Sequence, residues 1–577
     1  MIKTLVACIL VFLSTGLPTP CQSQIQQSFK HALVITELYP DPDARSAIPA
    51  SEFIELKNVS GSMINLKGWK ISDGTSIGTI TTSFELRPDS FLVVCPQAAV
   101  VSFSTFGTAI GLTGLPSLNN EEDRISLYDP AGNLVHHVHY YNSWYLNDVK
   151  KEGGWTLEMI DPLNFCSGAA NWKASEQSKG GTPGFTNSVN RLNPDEQSPA
   201  VVKSYIKDSQ TVVLVFDEPL DSITAANVSG YHFTNTGNTI IKAIPVGPSF
   251  EEIELTMNAA MHPETVYEMI ITRLTDCAGN MIGSFNKVKC GMPSSPEQND
   301  IILNELLFNP APGGYDYIEL YNRSKKVIDL KEIMVASKSS VGTFINMTPV
   351  NVSPRLIFPN EYLLLTENVN WLQQNYFVKD GAAILMISDL PSLPDDKGYM
   401  AVINGVGNLI DEISYSDKWH FALLNNKEAV ALERIDFSVP ANEKTNWTSA
   451  ASGAGFGTPG YQNSQFRADL QAQGSLVIES KIFSPDNDGY LDLAAFRYEM
   501  EEPGYMGSIT IYDAAGRPVR FLVKSALLGM KGVYNWDGLD ENLKKLPVGI
   551  YIVLMEVFNL KGRVKKIRNS ITLARKF

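Results

Sequence analysis

Basic residues are in short supply. The chain has 47 Lys and Arg against 62 Asp and Glu, a net charge of −15, whereas a duplex-binding protein needs clustered cations to displace counterions from phosphate. Nucleic acid is therefore a poor default partner. Beyond residue 17 no apolar run approaches the about 20 residues that a membrane-spanning helix needs. No dozen-residue window carries a sustained apolar stripe of helical period, which argues against a helical bundle. The motifs of common catalysts are missing as well. There is no Cys-x2-Cys unit, and Gly453-Ala454-Gly455-Phe456-Gly457 runs into Thr-Pro-Gly rather than a helix start. Glycine (42) and proline (32) stay below low-complexity levels.

What is present is length and apolar content. At about 150 residues per domain, 577 residues predict about four domains, and 44 % hydrophobic residues supply each with a core. Leu5 to Leu17 is an apolar stretch of signal length behind a lysine, followed by Pro18, Pro20 and Cys21-Gln22-Ser23, and reads as a cleavable secretory signal over residues 1–23. Leu5-Val6-Ala7-Cys8 resembles a lipobox but sits ahead of the apolar stretch, and Pro18-Thr19-Pro20-Cys21 is a poor one.

An internal repeat organises the remainder. Glu52-Phe53-Ile54-Glu55-Leu56-Lys57-Asn58 matches Asp316-Tyr317-Ile318-Glu319-Leu320-Tyr321-Asn322, and Ile64-Asn65-Leu66-Lys67 matches Ile328-Asp329-Leu330-Lys331. Further on, Leu115-Pro116-Ser117-Leu118 matches Leu390-Pro391-Ser392-Leu393, and Leu157-Glu158-Met159-Ile160-Asp161 matches Leu432-Glu433-Arg434-Ile435-Asp436. Asn171-Trp172 pairs with Asn446-Trp447, and Gly181-Thr182-Pro183-Gly184 with Gly457-Thr458-Pro459-Gly460. Ordered matches at this separation mean two whole domains with another domain between them. Short β-rich runs closed by Gly, Pro, Asn or Asp predict an all-β chain of tandem Ig-like β-sandwiches.

The repeats resemble the lamin-tail domain, an Ig-like sandwich, in the form found in secreted proteins of Bacteroidota. The resemblance rests on Ile35-Thr36-Glu37-Leu38, the Glu52 to Leu56 strand, Leu66-Lys67-Gly68-Trp69-Lys70 and the closing Asn-Trp and Gly-Thr-Pro-Gly motifs. The second copy keeps Asn304-Glu305-Leu306 but departs at Glu332-Ile333-Met334. Between the copies, Thr211 to Leu220 is similar to the bacterial Ig-like module of surface-layer proteins. At the end, Phe483 to Gly489, Ile509 to Arg517, Trp536-Asp537-Gly538 and Gly549-Ile550-Tyr551 resemble the Ig-like module of the flagellar hook-capping protein. The end also looks like a type IX secretion sorting domain, with a basic last stretch, Lys561 to Phe577; lysines that discourage edge pairing explain that stretch equally. The expected domains are 24–192 and 298–466 (lamin-tail), 197–293 (Ig-like) and 473–577 (hook-cap-like or sorting). The joints between them fall at Arg191 to Ser198, Pro293 to Asn299 and Ser464 to Gln473.

With the signal removed four cysteines remain, and four allow three pairings. The domain map places Cys95 with Cys166 and Cys277 with Cys290, giving one disulfide in each of two domains; zinc is the alternative. Asp486, Asp488 and Asp492 in Asp486-Asn487-Asp488-Gly489-Tyr490-Leu491-Asp492 form a possible calcium site, or else an Asx turn; Ala495 falls where an EF-hand needs glutamate. Asp41 and Asp43 are a weaker pair. His136, His137 and His139 form a cluster in which His137 and His139 share a strand face and could hold zinc, but the second copy has Asp411-Glu412-Ile413-Ser414 there, which favours ordinary surface histidines. Glu37, Glu55, Glu305 and Glu319 raise acid-base catalysis, although their recurrence suits a structural job such as accepting turn amides. Trp144, Tyr145 and Trp419 are either contact aromatics for a glycan or protein, or loop anchors.

These readings converge on a secreted, non-enzymatic binding or scaffolding protein of the bacterial envelope, periplasmic, outer-membrane-associated or at the surface. Its expected partner is an envelope protein or glycan. The alternatives are an accessory subunit for an extracytoplasmic hydrolase or nuclease, a hydrolase using Glu37 and Glu55, and a DNA binder.

Overall fold

The computed structural model describes residues 31–43, 46–165, 168–467 and 474–575. The signal segment and Cys166 lie outside the described residues. The chain is all-β, built of tandem Ig-like sandwiches, and the longest described helix is the seven-residue Val369–Asn375. It forms two compact units. One holds the described residues up to Gln197 with Gly247–Phe250 and Asp276–Asn280, and the other holds the remainder.

In the first unit a six-stranded sheet runs in the order Trp172–Ala174, Leu157–Met159, Leu33–Tyr39, Phe53–Asn58, Phe91–Cys95, Ala109–Gly111. A second sheet orders Leu134–Tyr141, Glu122–Tyr128, Lys70–Ser72 and Ile77–Thr79. Leu33, Ile35, Leu38, Ile54 and Leu56 point between the sheets, where Trp69 and Trp172 fill the core. Every residue of Leu33–Tyr39 is buried, because a closing segment, residues 181–189, covers its other face. The register slips between Ile35 and Glu37, a bulge that sets Glu37 opposite both Glu55 and Glu158 on the flanking strands.

The second unit repeats this design. The sheet Trp447–Ser449, Leu432–Arg434, Ile301–Leu307, Tyr317–Asn322, Tyr362–Thr366, Ile384–Met386 has the same order and again ends in a parallel pair. Its bulge falls between Leu303 and Glu305, and Glu305 faces Glu319 and Glu433. Ahead of it, a smaller sandwich packs Val201–Asp208, Thr211–Phe216, Glu252–Met257 and Ile240–Val246 against Tyr231–Phe233, Tyr267–Ile271 and Lys287–Cys290. Strict in-out alternation along Glu252–Met257 builds that core. Behind it, three strands from Ser475–Ile478 to Lys531–Trp536 face a five-stranded sheet that includes Gly549–Asn559 and Val564–Leu573.

The joints within this unit are packed. Ile206 and Val266 press on Val327, Leu356 and Phe358, and Lys289 pairs with Glu361 at 2.8 Å. Phe421 packs on Met506 and Leu527. Ser464 and Gln465, expected to begin a linker, are instead held in place: Met530 N–H donates to Ser464 O at 2.7 Å, and Gln465 Nε2 donates to Leu528 O at 3.1 Å.

The structure corrects the proposed disulfides. Cys95 and Cys290 are free and buried. Strand alternation turns Cys290 into the core of its sandwich, and Cys95 lies in a satellite cluster with Tyr39, Phe53 and Phe103. Burial pushes the thiols up to about 11 for Cys95 and about 12 for Cys290. Cys277, in the turn Asp276–Asn280, is disulfide-bonded, to neither of them.

Candidate functional site

The carboxylates that the repeat singles out stand side by side across three strands. Glu158, Glu37 and Glu55 form one row, Glu433, Glu305 and Glu319 the other, and all six are completely buried. Like charges directly opposite on a sheet repel, and burial without donors would be prohibitive. The closing segment supplies most of the donors. Glu37 Oε1 accepts from Thr182 N at 2.7 Å and Thr156 Oγ1 at 2.6 Å, while Glu55 Oε2 accepts from Gly184 N at 2.7 Å. Glu158 accepts from Thr182 Oγ1 at 2.9 Å, Ser188 Oγ at 2.7 Å and Val189 N at 3.2 Å.

The second row uses the same closing motif with some donors exchanged. Glu305 accepts from Thr458 N and Thr458 Oγ1, Glu319 Oε2 from Gly460 N at 2.5 Å, and Glu433 Oε2 from Ser464 Oγ and Gln465 N, each at 2.8 Å. The first glycine of each Gly-Thr-Pro-Gly motif is needed for close approach: a Cβ on Gly181 would lie 2.7 Å from Thr156, and one on Gly457 2.8 Å from Tyr317 Oη. The last glycine, at φ +85° in Gly184 and +81° in Gly460, turns its N–H toward the carboxylate.

Burial and the Glu158 charge push Glu37 up to about 8, and burial with the Glu305 charge does the same to Glu433. Burial raises Glu55 and Glu319 well above the usual carboxylate range. The other repeat landmarks are hydrogen-bond hubs too. Asn187 Nδ2 donates to Thr36 O and Met159 O, both at 2.8 Å, and Asn463 Nδ2 to Asn304 O and Arg434 O, both at 2.9 Å. Glu52 accepts from Leu118 N at 3.2 Å, and Asp316 from Leu393 N, which explains an acid ahead of the strand in both copies. Glu158, Glu433, Thr182 and Thr458 were absent from the acidic set read from sequence, although the repeat had already aligned them.

The histidines are not a surface group. His136 and His139 are buried, and His136 Nδ1 accepts from Ile35 N at 3.1 Å; burial holds it down at about 3. His137 Nδ1 lies 2.9 Å from Ser126 Oγ. In the second copy Asp411 takes over from His136: Leu303 N donates to it at 2.9 Å, and Arg434, standing where the first copy has Met159, pairs with it at 2.9 Å. Trp144 and Tyr145 are buried and Trp419 packs against its core, so all three anchor loops.

A ligand oxygen from each of Asp486, Asp488 and Asp492 lies within 4.8 Å of the others. They also close a turn: Asp492 accepts from Asp486 N at 3.1 Å, Asn487 N at 2.6 Å and Gly489 N at 2.8 Å, and Asp488 accepts from Tyr490 N at 2.9 Å. A cleft of about 310 Å³ opens beside the second closing segment, lined by Tyr461, Phe466, Tyr498, Tyr534, Glu499 and Lys531.

The lamin tail domain family matches residues 26–142. No curated protein matches the chain. Among solved structures, the bacterial surface-layer protein SbsC is similar at 13 % identity and TM-score 0.16, covering 66 % of this chain and 54 % of that one. Dimeric latent PorU from Porphyromonas gingivalis is similar at 13 % identity and TM-score 0.15, with 67 % of this chain and 33 % of that chain covered. PorZ of the type-IX secretion system of the same organism is similar at 10 % and 0.15, over 91 % and 69 %.

Proposed function

We propose that this chain is a secreted, non-enzymatic binding or scaffolding protein of the bacterial cell envelope or surface. Its domains are a lamin-tail domain, an Ig-like domain, a second lamin-tail domain and a hook-cap-like or sorting domain. The observation that carries this reading is the use made of the buried carboxylate rows: every one of these six side chains accepts hydrogen bonds from protein donors, most of them on a closing segment. Such rows make rigid sandwiches, and in the second unit packed joints extend that rigidity from one sandwich to the next. The signal-like stretch Leu5 to Leu17 supports export, and no helix among the described residues is long and apolar enough to cross a membrane. Partners are expected on the envelope, as protein or glycan.

Substitution tests the non-enzymatic part. Glu37→Ala and Glu55→Ala should lower the melting temperature and remove no hydrolytic activity; loss of an activity at unchanged melting temperature would overturn it. Calcium at Asp486, Asp488 and Asp492 belongs to the same proposal, supported by three hard oxygens within reach of one ion. A chelator should then lower the melting temperature of the C-terminal sandwich, and Asp488→Asn should abolish that response.

A further inference from the structure

Thr458 Oγ1 stands between two carboxyl groups. It lies 3.0 Å from Glu433 Oε1 and within hydrogen-bond distance of Glu305 Oε2. A hydroxyl carries one proton and can donate to only one of them. Glu305 is built as an acceptor: Tyr317 Oη, Thr458 N and Thr458 Oγ1 all point at its two oxygens. Glu433 divides its roles. Its Oε2 accepts from Ser464 Oγ and Gln465 N, while among the described residues its Oε1 has the Thr458 hydroxyl as its one hydrogen-bond partner. With the Thr458 proton committed to Glu305, two bare oxygens would face each other unless Glu433 Oε1 carries a proton and donates it to Thr458 Oγ1.

We propose that Glu433 and Glu305 share one proton, carried on Glu433 Oε1, and that this proton holds the joint between the second repeat and the C-terminal sandwich. The link to the joint is direct. Ser464 and Gln465, gripped by Glu433 Oε2, are the residues that receive Met530 N–H and donate to Leu528 O. Ser452 Oγ adds a bond to Leu527 O at 2.9 Å. Removing the proton makes Glu433 and Glu305 adjacent anions around one hydroxyl, and the strain falls on the 458–465 segment that bears the joint.

The titratable groups facing the pair are Glu319, Tyr317, Tyr362, Tyr376 and Tyr461. None is cationic, so no neighbour takes over the role of the proton. Arg434, next in sequence to Glu433, directs its guanidinium to Asp411, Leu303 O and Val439 O. The raised position of Glu433 at about 8 agrees with a proton held through neutral pH.

Amide exchange on the full chain, with rates normalised to the unfolded chain at each pH, tests this. In the wild type, Gln465 and Met530 should lose protection together as pH rises from about 4.5 to about 8, by up to about tenfold per pH unit, and the loss should level off above that window. Glu433→Gln, whose amide reproduces the donating Oε1–H, should keep protection flat with pH, and Glu319→Gln should retain the slope. A flat wild type, separate midpoints for the two amides, or an unchanged slope in Glu433→Gln would overturn the proposal. The wild-type measurement decides by itself if Glu433→Gln does not fold.

Discussion

Glu305 accepts both the backbone N–H and the hydroxyl of Thr458, a residue 153 positions further along the chain. Glu37 and Thr182 repeat the backbone bond at 2.7 Å in the first copy, where the threonine hydroxyl goes to Glu158 instead. A strand in the middle of each large sheet is thereby tied to the segment that closes the sandwich.

Thr458→Val keeps the shape and removes the hydroxyl between Glu305 and Glu433. Leaving buried carboxyl oxygens without that donor should cost about 1–3 kcal/mol, read as a lower denaturant midpoint. Thr182→Val should cost a similar amount in the first copy, and stability unchanged in both would contradict the clamp.

The first copy should weaken in alkali. Glu37 titrates at about 8 in the fold against an ordinary value of 4.5, so the folded state binds more protons than the unfolded chain between those values. Its contribution is therefore complete below pH 4.5 and is lost as pH rises through about 8. Calorimetry from acid to alkaline pH should show the first unit's melting temperature falling over that window, with a smaller fall in Glu37→Gln.

Arg434 and Asp411 in one copy replace Met159 and His136 in the other. Arg434→Met alone strands a buried carboxylate and should cost about 3–5 kcal/mol. Adding Asp411→His installs the first copy's solution and should recover most of the loss. A double-mutant cycle with no coupling would show that the two positions act independently.

Cys95 and Cys290 should escape alkylation in the native protein and react only on denaturation, since both are buried with thiols raised well above neutrality. Peptide mapping after labelling checks each residue separately, and rapid native labelling of either would contradict its placement.

Much of this design was legible in the sequence because a duplication marks the residues that do the same work twice. Strand periodicity and the recurrence of Glu37, Glu55, Asn171 and Gly-Thr-Pro-Gly pointed to β-sandwiches and to carboxylates accepting turn amides. Glu158 and Glu433 escaped notice because cross-strand neighbours are set by register, and the bulges after Ile35 and Leu303 shift it. The cysteines misled for a related reason. Sharing a domain says nothing of side-chain direction, and Cys290 faces a core where Cys277 sits in a turn. His136 read as a surface residue because a lone buried imidazole is satisfied by a backbone amide from a strand 101 residues away.

The most direct measurement is protease treatment of intact cells expressing the full chain, followed by fractionation with a cytoplasmic marker. An envelope scaffold should be cleaved in intact cells, or recovered in the periplasmic or outer-membrane fraction, while the marker stays protected. Recovery with the cytoplasmic marker, protected until the cells are lysed, would contradict it.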